Sequence, residues 1–222
     1  GEGEAIELTG LFIDQGPVVQ VRESGGRVSV EDDRDAGVAW DGPLAVLVNR
    51  GSASASEIGA GAIQDYGRGL VIGDPTFGKG TVQTLVDLNR FTQSREPQGQ
   101  LKLTIAKFYR VNGSSTQHRG VRPDIAIPSA VDSAEVGESA QKNALPWDEI
   151  AAARYRGDRG IVALAPELVR RHQARIAGDP DYQAFLRDLE FTRQQQDKTT
   201  VSLLESQRRN EREGIEGWQR ER

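Results

Sequence analysis

The sequence predicts an α/β (α+β) core, a mixed β-sheet with flanking helices, followed by an all-α C-terminal domain. Three observations carry this reading. Pro43–Asn49 (P-L-A-V-L-V-N) is an unbroken apolar run of strand length, and a helical stripe and a second short apolar run follow it. Leu101–Tyr109 alternates Leu101, Leu103 and Ile105 against Lys102 and Thr104, the period of a strand. Beyond Pro146 strand-like runs cease and helical spacing takes over. The charge changes at the same place, from 14 Lys+Arg against 21 Asp+Glu in residues 1–149 to 14 against 12 in residues 150–222. The expected division is a core over 1–130, a linker over 131–145 and a helical domain over 146–222.

In chain order, Ala5–Phe12 reads as a short helix or turn, Pro17–Arg22 and Val28–Glu31 as strands, and Asp32–Asp35 as an acidic loop. The apolar run Pro43–Asn49 is expected to be buried on both faces, as in a parallel sheet. Ser56–Tyr66 places Ile58, Ala62 and Ile63 on one helical stripe, with Gly67 as the stop. Leu70–Gly73 is the next strand, which completes a right-handed βαβ unit. Thr81–Leu88 and Leu101–Tyr109 follow as strands, Asn112-Gly113 is a hairpin turn, and Pro123–Pro128 is an edge strand. The tail offers four helices: Trp147–Arg154, Pro166–Ala177, Pro180–Gln196 and Ser202–Arg222. The last is dominated by charge and suits a solvated or docking helix.

Composition excludes several classes. A net charge of −5 argues against a general nucleic-acid binder. The absence of cysteine removes disulfides, thiolate zinc sites and cysteine nucleophiles. No apolar run reaches the ~18 residues of a membrane span, and the opening Gly1-Glu2-Gly3-Glu4 is no signal peptide, so the chain reads as cut from something longer. His118 falls in a polar loop and His172 on an arginine-rich helix face, and both read as surface residues. An S-x-x-K string over Ser139–Lys142 lacks its companion motifs and reads as chance.

Two stretches carry chemistry. Gly51–Glu57 (G-S-A-S-A-S-E) opens a helix directly after a strand, where small residues leave room for a substrate and helix amides point outward. An ordinary helix cap explains the same residues, and the motif alone does not choose among its serines. Gly73–Gly80 (G-D-P-T-F-G-K-G) resembles a phosphate-binding loop, but Gly80 stands where Ser or Thr is needed and a strand follows instead of a helix. A serine becomes nucleophilic when a neighbouring base takes its proton, and a lysine can be that base once burial leaves its amine neutral.

The strings N-R-G-S-A-S-A-S-E-I from Asn49, Q-D-Y-G-R from Gln64, G-D-P-T-F-G-K-G-T-V-Q from Gly73 and F-Y-R-V-N-G-S-S-T-Q-H-R-G-V-R-P-D-I from Phe108 together resemble the carboxyl-terminal processing peptidases. The tail-specific protease branch is the nearest in pattern, and the helical tail is similar to that branch's C-terminal domain. The resemblance implies Ser54 as nucleophile, Lys79 as general base, Gln83 as the residue that orients the lysine, and the Ala55 amide as an oxyanion donor. Glu57, Asp65 and Thr76 fall where the family has supporting residues. No metal or cofactor is implied. The resemblance also implies a Gram-negative periplasmic protein acting on proteins with apolar C-terminal tails, sometimes with an adaptor, and leaves a homo-oligomer open.

The family carries a PDZ domain and a glycine-ended strand ahead of the matched region, and that strand supplies a second oxyanion donor. Losing one donor costs roughly 10²–10³ in rate, so this chain alone is expected to be a poor protease. The rival reading is a non-catalytic scaffold or adaptor-docking fragment whose helical tail binds a partner. Nucleotide binding is a distant third.

Overall fold

The computed structural model describes residues 1–93, 96–132, 135–158 and 160–220. Their backbone contacts define two compact units, Gly1–Ile127 with Val131–Val169, and Pro128–Ala130 with Arg170–Arg222.

In the first unit the elements run α1 (Glu2–Gly10), β1 (Gly16–Glu23), β2 (Val28–Asp33), β3 (Ala45–Val48), α2 (Ala55–Asp65), β4 (Leu70–Gly73), β5 (Thr81–Asp87), β6 (Gln100–Tyr109) and β7 (Ile125–Ala126). The strands form two sheets: an antiparallel one in the order β2-β1-β6-β5 and a parallel one in the order β3-β4-β7. The β7 pairing confirms an edge strand within Pro123–Pro128, and the turn at Asn112-Gly113 brings Ser115 beside Tyr109 as expected. Strand β2 continues through Asp32 and Asp33, so the expected acidic loop is shorter; Asp33 pairs with Gly16 across the ladder.

The βαβ unit is present, with Ala45–Val48 in parallel register with Leu70–Gly73. Its α2 stripe of Ile58, Ala62 and Ile63 packs with Val18, Val19, Phe108 and Val111 in the main core. A smaller cluster joins Val48, Ala60, Val71 and Val121. The expectation that β3 is buried on both faces is overturned. Leu47 is 78% exposed while Val48 is buried, because β3 lies at the sheet edge and one of its faces meets α2.

The expected helix over Trp147–Arg154 is also absent. Its backbone is extended and hydrogen-bonded to the hairpin: Ile150 N–H donates to Gly113 O and Ala153 N–H to Val111 O. Glu149 bridges Ser114. The indole of Trp147 donates to Ser115 O at 2.9 Å, and Arg119 lies 3.6 Å over its ring. An isolated eight-residue helix is marginal in water, and these long-range bonds outweigh it.

Helix α3 (Gly160–Ala177) starts six residues before the expected Pro166 and holds that proline inside. In the second unit α4 (Pro180–Gln196) is capped by Asp179, whose carboxylate accepts from the Asp181 and Tyr182 amides. Helix α5 (Glu205–Arg220) follows. Phe191 stacks on Trp218 at 4.3 Å. His172 is half-buried rather than exposed, its ring edge-on to Tyr182.

Candidate active site

Ser54 and Lys79 occupy equivalent places in the βαβ unit, each on the loop that leaves the carboxyl end of a parallel strand. Such loops converge at one end of a sheet, the usual location of sites in α/β folds. Main-chain bonds tie the two loops together: Asp74 N–H donates to Val48 O, and Phe77 N–H to Ser52 O at 2.9 Å.

Glu57 is the centre of the arrangement. Its side chain is fully buried one turn into α2 and accepts four hydrogen bonds. Oε1 takes Thr76 Oγ1 at 2.5 Å and the Gly78 amide at 2.7 Å. Oε2 takes the Ser54 amide at 2.8 Å and the Lys79 amide at 2.9 Å. One oxygen atom therefore holds the backbones of both dyad candidates. Burial pushes the Glu57 carboxyl above its ordinary value, and the four donors work in the opposite direction.

At the N-terminus of α2, Ser54 has φ +56° and ψ −110°, a conformation rare outside glycine that stores roughly 1–3 kcal/mol. The Glu57 bond to its amide helps hold it there. Ser54, Ala55 and Lys79 are half-buried, open enough for a ligand to reach. Among the described residues no hydrogen bond is found for the Ala55 amide or for the Lys79 ammonium.

The glycines flanking Lys79 have a steric cause. A Cβ on Gly78 would sit 2.8 Å from the His118 carbonyl carbon, and one on Gly80 would sit 2.8 Å from the Gln117 nitrogen. The lysine loop is threaded against residues 115–120, with His118 N–H donating to Gly78 O at 2.8 Å. His118 is accordingly not the surface residue expected; it is half-buried at φ +63° with Nε2 buried and unbonded. After the loop comes strand β5, so the helix N-terminus that a phosphate-binding loop requires is missing.

The other candidates lie at different distances from this centre. Thr76 is fully buried and joins it directly, accepting the Val121 amide while donating to Glu57. Gln83 is exposed on β5, and its amide nitrogen lies 3.4 Å from Thr104 Oγ1, not against Lys79. Asp65 sits at the far end of α2, where it pairs with Arg110 at 2.6 Å and accepts from Asn112. Burial raises its carboxyl, opposed by the Arg110 contact. Sequence reasoning did not single out Arg50 or Gln117, although both belong to quoted strings. Arg50 is 5% exposed and donates to Thr76 O, and Gln117 is fully buried with Oε1 accepting the Gly80 amide.

Comparison with known proteins decides the family. The profile described as Peptidase family S41 matches residues 3–127. The chain belongs to peptidase family S41. Residues 131–222 match the C-terminal domain of tail specific protease, which places the charged helices in the same lineage. The tail-specific protease of Haemophilus influenzae is 46% identical over 212 residues, 94% of this chain and 30% of that protein. A carboxy-terminal-processing protease of Bartonella bacilliformis is 41% identical over 125 residues, 56% of this chain and 27% of that protein. Among solved structures, the photosystem II D1 C-terminal processing protease superposes with a TM-score of 0.51 at 33% identity, over 60% of this chain and 33% of that one. The chain thus spans about a third or less of the length of these relatives. No described helix is long and apolar enough to cross a membrane.

Proposed function

We infer that this S41 chain carries the catalytic centre of a serine endopeptidase built on a Ser54–Lys79 dyad. The observation that carries the reading is the single Glu57 carboxylate bonded to the backbones of both residues. The Lys79 amine takes the Ser54 proton as the hydroxyl attacks a peptide carbonyl, and the Ala55 amide holds the developing oxyanion. The lysinium then protonates the leaving amine, and water resolves the acyl-enzyme. Thr76 acts through Glu57, and Asp65 anchors the far end of the nucleophile helix. Gln83 takes up its orienting part in the working state, in which its weakly held amide leaves Thr104 and turns to the lysine.

The substrates are periplasmic proteins chosen by an apolar C-terminal tail, in keeping with the tail-specific protease relatives. An adaptor delivering some of them fits the charged helical tail. Ser54→Ala and Lys79→Ala are each expected to lower turnover of an unfolded, apolar-tailed protein by at least ~10⁴-fold without changing the circular dichroism spectrum. A serine-reactive phosphonate should label the parent at Ser54. Normal cleavage by either variant refutes the dyad.

A further inference from the structure

Residues 136–145 are joined to the lysine loop by one direct hydrogen bond and by two relays, through Arg50 and through Gln117. Val136 O accepts Arg50 Nε at 2.6 Å, while Arg50 Nη1 donates to Thr76 O. The Glu138 amide donates to Phe77 O at 3.0 Å. Buried Gln117 joins the two segments through its side chain: Oε1 accepts the Gly80 amide at 2.8 Å, and Nε2 donates to Glu138 Oε1 at 3.1 Å and Leu145 O at 2.9 Å. Thr76, Phe77 and Gly80 are thereby tied to residues 136–145, Phe77 directly and the other two through Arg50 and Gln117, as Thr76, Gly78 and Lys79 are tied to Glu57. Gly137, at φ +140°, allows the close approach, since a Cβ there would lie 2.4 Å from Arg50 Nη2.

We propose that Gln117 is a positioning residue of the proteolytic centre, through which residues 136–145 act as a strap fixing the Lys79 loop. This rests on the dyad reading above. All side-chain hydrogen-bonding groups of Gln117 are used, and none reaches solvent, so the amide is matched to this junction as both acceptor and donor. An apolar filler of the same volume would leave the Gly80 amide without its partner. A loop displaced by a fraction of an ångström still folds, but its amine no longer meets the serine hydroxyl squarely. Losses on the order of 10²-fold follow from misplacements of about 1 Å.

The test uses the full-length protein. Gln117→Ala is expected to lower kcat on the order of 10²-fold with KM little changed, and to slow phosphonate labelling of Ser54 in parallel. Gln117→Glu supplies a second, different readout. Its carboxylate can accept the Gly80 amide but cannot donate to Leu145 O, and it faces the Glu138 carboxylate; protonated, it can do both. Glu57 across the loop and Arg50 at Thr76 are common to variant and parent, so the ratio of Gln117→Glu to parental activity isolates the new acid. That ratio should rise as pH falls, whereas a side chain that merely fills space gives a flat ratio. If Gln117→Ala does not fold, the Gln117→Glu ratio decides, and Glu138→Ala, which removes a partner from a half-buried position on the strap, should lower kcat in the same sense. Parental kcat and labelling in folded Gln117→Ala, or a flat ratio for Gln117→Glu, overturns the proposal. Ser54→Ala run alongside separates the two failures: if it still cleaves, the dyad itself is wrong; if it is dead while the Gln117 variants are normal, only the strap is.

Discussion

The two compact units hold their polar groups in opposite ways. In the first, charged and amide side chains are buried and bonded to segments far away in sequence: Glu57 to the 76–79 loop, Arg110 to Asp65, Gln117 to Gly80 and Leu145. In the second, Arg208–Glu211, Arg209–Glu205 and Arg220–Glu216 are exposed pairs three or four residues apart on one helix. A buried, long-range network commits the chain to one arrangement, because each unpartnered group would be costly. Surface pairs within a helix contribute little and leave it free to meet a partner.

The largest test of this contrast is Asp65→Ala. It takes the only carboxylate partner shown from the nearly buried Arg110 guanidinium, leaving it Gln64 Oε1 and Gly61 O, and should destabilise the first unit by about 3 kcal/mol in urea denaturation. A change below about 1 kcal/mol would show that the network is not cooperative.

Next comes the pH dependence. Burial raises both the Glu57 and Asp65 carboxyls above their ordinary values of 4.5 and 3.8. The native state therefore binds protons that the unfolded chain has released. Their contribution to stability is full below the ordinary values and is lost as pH rises through the raised native ones. Glu57→Gln removes one such group, so its stability relative to the parent should improve as pH rises through that window. A relative stability that worsens with pH would reverse the assignment. The same substitution puts an amide donor among four donors, so activity should fall at every pH.

The smallest expected effect is in the tail. Glu205→Ala removes one exposed partner of Arg209 and should change stability by less than about 0.5 kcal/mol. A larger loss would mean that the α5 charges form a true network.

The same contrast explains what could be read from the residues alone. The βαβ unit was legible because an apolar run, a 3.6-residue stripe and a glycine stop are local signals. Helix α4 was legible too, with its start at Pro180. Trp147–Arg154 was not, since its fate is settled by hairpin carbonyls more than thirty residues away that accept the Ile150 and Ala153 amides. Leu47 misled because an apolar run does not reveal which strand lies at a sheet edge. Strings shared with a protease family pointed to Ser54 and Lys79 and placed Glu57 only among the supporting residues, with nothing to show that it joins the two loops. Three of its four bonds exist only once two loops have met. Gln117 was invisible for that reason too, and His118 looked exposed because nothing in a polar loop announces that it folds over a glycine.

The shared oxygen on Glu57 also bears on how the site assembles. Its bond to the Ser54 amide lies within the start of one helix, but the Lys79 amide reaches it from 22 residues away, so the lysine turn has this anchor only once the two loops have met. On the dyad reading, the serine end of the pair is therefore set locally and the lysine end arrives last, with the tertiary fold.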